Sequence, residues 1–152
     1  MSNLIRGISE NGGVVFCGVD STEIVRTAEK LHTTSATCSA ALGRLLTGVS
    51  LMGAMLKGDE ASVTVTIDGG GPIGKIICVA DRESVRGCVD VPNVELPLRK
   101  DGKLNVGMAV GREGRMSVVK DLGMRNPYVG QTALLSGEIA AESLSLSGGD
   151  HV

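Results

Sequence analysis

Residues 36–56 read ATCSAALGRLLTGVSLMGAML, a run that is apolar on nearly every side and dense in small residues. A helix without a solvent face must be enclosed, either by lipid or by the other elements of a soluble domain. Ser39 with Gly43, and Ala36 with Ala40, give the small-xxx-small spacing used by packed membrane helices. Against lipid stands Arg44 near the middle, at a cost of about 2.5–3.5 kcal/mol on insertion scales. Thr37, Ser39, Thr47 and Ser50 add further polar load. The stretch is therefore read as a buried helix, with no membrane partner. Gly43, Gly48 and Gly53 each cost about 1 kcal/mol relative to alanine in a helix interior. Their expected compensation is close approach of other backbone, as in a helix held between sheets.

The neighbouring segments supply such sheets. Residues 4–9 and 14–20 read as strands joined by Glu10-Asn11-Gly12-Gly13, where Asn-Gly tolerates the positive φ of a tight turn. Asp20 precedes Ser21-Thr22-Glu23, which reads as an aspartate N-cap with glutamate three residues on. The helix it opens places Ile24, Ala28 and Leu31 on one face and Glu23, Arg26 and Lys30 on the other. Thr33-Thr34-Ser35 breaks it, and Ser35 is placed to cap the second helix. Strands are predicted over residues 62–67, 75–80, 85–89, 104–110 and 115–120. Gly111-Arg112-Glu113-Gly114 is read as a hairpin loop between the last two. The predicted class is α+β. At 152 residues the chain is long enough for one domain that buries about 70% of its unfolded surface.

The turn after the third strand imitates a phosphate loop. Gly69, Gly71 and Gly74 satisfy G-x-G-x-x-G, and the stretch from Gly69 to Lys75 falls one residue short of G-x-x-x-x-G-K-[ST]. Both patterns need a helix directly after the glycines, since its free N–H groups hold the phosphate. Here Ile76-Ile77-Cys78-Val79-Ala80 follows, a run of strand type. Pro72 also removes a donor, and Ile76 stands where a magnesium-ligating hydroxyl belongs. A glycine-rich hairpin is preferred, and a phosphate- or nucleotide-binding enzyme using Gly69 to Lys75 is kept as the alternative.

Charge and cysteine usage exclude other classes. Net charge is −2 with a pI near 5.7, and the chain has one Phe, one Tyr and no Trp. Neither a basic stripe nor stacking aromatics exist for nucleic acid. Cys17, Cys38, Cys78 and Cys88 contain no C-x-x-C pair, and His32 and His151 complete no ligand cluster. Free thiols in a reducing compartment are expected, with Cys88 the one to watch. No secretory n-region opens the chain. Catalytic readings fail: His32 ends a helix, Ser136 lacks a nucleophile elbow, and Asp68, Asp81 and Asp90 sit where turn chemistry favours aspartate. No catalytic residue and no metal ligand are assigned.

Several blocks together resemble one family: the helix of residues 36–56, LKG, IDGGGPIGKI, VRG, DVPNVELPL, KLNVGMAVG and VVKDLGMRNPYVGQTALLSGEIAAE. In this order and spacing they are similar to the thirty-three-kilodalton chaperonin family, the redox-regulated heat-shock holdases of the bacterial cytosol. The resemblance implies β/α/β layers with a central buried helix and antiparallel hairpins. It also implies an ATP-independent chaperone in the cytoplasm, with unfolded or misfolded proteins as partners. Residues 1–142 would be an incomplete N-terminal client-binding and dimerisation domain, and residues 143–152 (SLSLSGGDHV from Ser143) a divergent polar tail. A helix is expected to begin at Ser136-Gly137-Glu138-Ile139. The family's zinc module with four cysteines is not matched by any residue of this sequence, so the expectation is a truncated form with no cofactor and no redox switch. Left with open edges, such a chain is expected to form homo-oligomers.

A holdase needs an adaptable apolar surface rather than catalytic groups, and methionine suits varied partners. Met108 and Met116, with Val106, Val110 and Val118, fall in the predicted hairpin of residues 104–120 and are the candidate client-binding residues. Met52 and Met55 fall on the buried helix.

Overall fold

The computed structural model describes residues 3–134 together with Gly137 and Ile139. The expectations for Ser136, Glu138 and the tail after Glu142 lie outside the described residues. Ile139 is helical and buried, and Gly137 lies against the Gly107 and Gly111 carbonyls.

β1 (Asn3–Ile8) and β2 (Val15–Asp20) form a two-stranded antiparallel sheet, with Gly12 at φ +71° in the turn. α1 (Thr22–His32) and α2 (Ala36–Ala54) follow. β3 (Ser62–Asp68), β4 (Lys75–Ala80) and β5 (Val85–Val89) then form one half of a second sheet. After the short helix α3 (Val106–Val110), β6 (Arg115–Asp121) and β7 (Tyr128–Ala133) complete it. The sheet order is β5-β4-β3-β6-β7, antiparallel throughout. α2 lies between this sheet and the β1–β2 ribbon, which gives the β/α/β layering expected.

The core follows from alternation. Val63, Val65 and Ile67 of β3 are fully buried, while Ser62, Thr64 and Thr66 point the other way. Ile76 and Cys78 of β4 and Met116 and Val118 of β6 extend the same inner face. Leu42, Leu45, Leu46 and Val49 of α2 pack onto it. Arg44 is exposed within that apolar stretch, so the helix turns its one charge outward, and the other exposed positions, Ala36 and Met55, lie at its ends. No helix among the described residues is long and apolar enough to cross a membrane.

Capping agrees with the sequence at α2, where the Ser35 hydroxyl accepts from Cys38 N–H at 3.4 Å. At α1 the cap residue is Ser21 rather than Asp20. Asp20 still works one residue further out, its carboxylate accepting from the Thr22 hydroxyl (2.7 Å) and the Thr22 N–H (3.1 Å). Leu31, expected on the buried face of α1, is exposed.

Two elements differ from expectation. Residues 104–110 are not a strand: Val106–Val110 is the helix α3, and the loop from Gly111 to Gly114 does not join a hairpin. Both edges of β6 are taken by β3 and β7, so no place remains for another strand beside it. Asn105 starts the helix by accepting from Met108 N–H at 3.3 Å, and Gly111 at φ +93° ends it. β7 itself carried no strand expectation, since Gly130 and Asn126-Pro127 obscure its alternation.

The α2 glycines divide. A methyl group on Gly43 would meet Val25 of α1, and one on Gly53 would meet the Asp81 carbonyl and Ala80. Gly48 has nothing within 4 Å. Gly48→Ala is therefore expected to raise unfolding free energy by about 1 kcal/mol. Gly53→Ala is expected to lower it by about 1–3 kcal/mol through overpacking. Urea unfolding of the two variants reads both signs.

Candidate client-binding surface

The phosphate-loop alternative is overturned by local geometry. Lys75–Ala80 is a strand, and four N–H groups of the loop are already used. Gly71 N–H donates to Val110 O and Ile73 N–H to Ala109 O, each at 3.1 Å. Gly74 N–H donates to Gly71 O at 3.2 Å, and Lys75 N–H to the Asp90 carboxylate at 2.9 Å. A carboxylate thus stands where a phosphate would have to sit. Gly69 and Gly71 are glycines because a Cβ at either would strike the α3 carbonyls. The turn is a backbone-to-backbone joint that seats α3.

The aspartates keep turn roles. Asp81 accepts from Glu83 N–H and Ser84 N–H, each at 2.8 Å, which holds its carboxyl below the usual carboxylate range. His32 Nε2 lies 2.9 Å from the Gly87 carbonyl oxygen and ties the end of α1 to the edge strand β5.

Of the five residues expected to bind clients, four are interior. Val106 and Val110 face inward from α3, and Met116 and Val118 face the core from β6. The hairpin that would have presented them does not exist. Met108 differs, being the outward residue of α3 and 60% exposed.

Exposed apolar side chains gather elsewhere. Leu4, Ile5, Ile8, Val14, Val15 and Phe16 all belong to the β1–β2 ribbon. Its inner face, which carries Leu4 and Val19, meets α2 through Arg6, which donates to the Ala54 carbonyl at the end of that helix. Its outer face carries Ile5 and Phe16 as diagonal cross-strand neighbours, 65% and 56% exposed. The Phe16 ring lies over Gly7, where any Cβ would displace it. Ile8 and Val15 are paired at the turn end of the ribbon, where both are exposed, and Met55 stands exposed just past α2. Beneath that end, Phe16, Cys17, Met55, Leu56 and Lys57 line a groove of about 610 Å³. A second patch lies around the β6–β7 turn, with Leu122, Met124, Tyr128 and Val129 exposed beside the open edge of β7. Isolated exposed apolar residues need no explanation, whereas clusters on open-edged strands mark association surfaces. The sequence signal that could have found the ribbon was present: the sole phenylalanine sits in an alternating strand beside a glycine pair.

The cysteines do not form a metal centre. Cys17 is on β2, Cys38 is buried in α2 against the Val91 carbonyl, and Cys78 faces the core from β4. Cys88 pairs with Ile77 in the register and so points to the opposite face from Cys78. Among the described residues no group of three or more His, Cys, Asp and Glu is placed to hold a metal ion. Burial first, and the neighbouring Cys88 second, push the Cys78 thiol up to about 12.

The family described as Hsp33 protein matches residues 2–145 of this chain. The chain is 46% identical over 142 residues to the 33 kDa chaperonin of Alkaliphilus metalliredigens, covering 93% of this chain and 49% of that one. It is 48% identical over 137 residues to the 33 kDa chaperonin of Geobacillus kaustophilus, covering 90% and 46%. The crystal structure of the 33 kDa chaperonin (heat shock protein 33 homolog) from Thermotoga maritima matches with a TM-score of 0.85 at 38% identity, over 91% of this chain and 48% of that chain. The chain spans about half the length of these relatives. With nearly every residue inside the match and the layered fold shared, the chain belongs to the Hsp33 family.

Proposed function

We propose that this chain is an ATP-independent holdase that binds unfolded or misfolded proteins and keeps them from aggregating, and that it acts as a binding protein rather than an enzyme. The observation that carries the reading is the β1–β2 ribbon, whose outer face offers Ile5 and Phe16 to solvent beside two strand edges that are unpaired among the described residues. An unfolded segment can add as a strand to such an edge while its side chains cover the apolar face. The family relationship supports the same reading, and the relatives' names describe chaperonins. Met108 remains a candidate contact, whereas Val106, Val110, Met116 and Val118 contribute by holding the scaffold. A cytoplasmic location and self-association through the same edges belong to this proposal.

The test is light scattering of a chemically unfolded client diluted into buffer with the purified chain and no ATP. Suppressed aggregation supports the reading, and unsuppressed aggregation by a soluble chain removes it. The double variant Ile5→Asp, Phe16→Asp should lose most of the suppression while keeping its circular dichroism. Each exposed apolar side chain covered on binding contributes about 1.5–3 kcal/mol, so losing two is a large effect.

Activity is also expected to ignore oxidants, because Cys78 and Cys88 lie on opposite faces of the sheet and Cys38 is enclosed. A several-fold gain after peroxide, reversed by thiol, would contradict this. Thiol alkylation near pH 8 gives a companion reading. Cys88 is expected to label in the folded chain, and Cys78 only after unfolding, since the thiolate is the reactive form.

A further inference from the structure

We propose that the groove between residues 97–100 and α3 is a client subsite selective for segments that alternate acidic and apolar side chains. The inference rests on the client-binding reading above and assigns a substrate class to a second place on the molecule. The groove has a volume of about 740 Å³ and lies apart from the ribbon. Its apolar contacts are Leu98 and Met108, 59% and 60% exposed. Its cationic wall is Arg99, Lys100 and Arg112.

Two features make this more than a loose surface cleft. Asn105 holds Met108 from both ends of one amide: its Oδ1 accepts from Met108 N–H at 3.3 Å, and its Nδ2 donates to the Met108 sulfur at 3.8 Å. The remaining residues of α3 are buried, so Met108 is the side chain that the helix presents outward. A thioether in that position is polarizable and adapts to varied apolar partners. Asp101 lies 3.3 Å from Arg99 Nη2, which sets that guanidinium at the rim.

The charge is local. The whole chain carries −2, yet residues 97–112 hold Arg99, Lys100, Lys103 and Arg112 against the single carboxylate of Asp101. An acidic-apolar segment matches this pattern, its apolar side chains covering Leu98 and Met108 and its carboxylates meeting the wall. A basic segment meets like charge. Complementarity of this kind governs which partner binds more than how tightly.

The experiment measures fluorescence anisotropy of the full chain with three labelled peptides: alternating Leu-Glu and alternating Leu-Lys of equal length, and an all-Glu peptide half as long, which carries the same net charge as the first. The Leu-Glu peptide is expected to bind roughly tenfold tighter than Leu-Lys, the effect of two partly exposed ion pairs. It should also bind tighter than all-Glu, which lacks apolar contacts. The preference should shrink as ionic strength rises from about 0.05 to about 0.5 M. Lys100→Glu with Arg112→Glu should abolish or reverse it, and Met108→Ser should weaken Leu-Glu while leaving all-Glu unchanged. Equal binding of Leu-Glu and Leu-Lys would overturn the proposal, as would a preference that survives Lys100→Glu with Arg112→Glu. Aggregation suppression separates the two readings. A chain that suppresses aggregation without the peptide preference sinks the subsite alone. A chain with the preference but no suppression sinks the holdase reading and leaves the groove an acidic-apolar peptide site.

Discussion

Everything in this molecule is arranged around a helix that is largely enclosed by the other elements. Of α2 only Ala36 at its start and Arg44 are exposed, and Leu42, Leu45, Leu46 and Val49 are buried against the inner face of the large sheet. Such a helix has no amphipathic stripe to orient it, so its covers must come from both sides. Gly43 admits Val25 of α1 and Gly53 admits the turn after β4, so two of its glycines set how near those covers come. The layers are a consequence of enclosing one apolar cylinder.

The covers are unequal. On one side stands a five-stranded sheet with an unbroken inner face of valine, isoleucine, cysteine and methionine. On the other stands a two-stranded ribbon, which is marginal by itself and leans on α2 through β2 and through the bond from Arg6 to the Ala54 carbonyl. A thin cover leaves its outer face and, among the described residues, both edges open. That asymmetry places exposed apolar surface at the ribbon without weakening the core behind the large sheet. It also explains why the surface is separate from the glycine turn, whose Gly71 and Ile73 N–H groups are spent in seating α3.

The fold was largely legible along the chain. Asn-Gly located the ribbon turn, Ser35 the start of α2, and alternation located β3 to β6 nearly to the residue. The site was much less so. Val106 and Val110 alternate with Met108 just as a strand would, and five residues are too few to separate period 2 from period 3.6. What decided the matter was competition for the edge of β6, won by β7, a segment whose glycine and proline blur its own pattern.

Sequence by itself determined the family, the α+β class, the enclosed central helix and the strand character that follows the glycine turn. These depend on short-range chemistry, namely side-chain period, cap residues and turn residues, which act within a few positions of one another. Only tertiary structure decided which apolar residues face water. Met116 and Phe16 look alike as large apolar residues in strands, yet one is sealed in the core and the other lies open over Gly7. The difference is not in either residue but in whether the strand bearing it belongs to the broad sheet or to the narrow one, and that is fixed by long-range pairing.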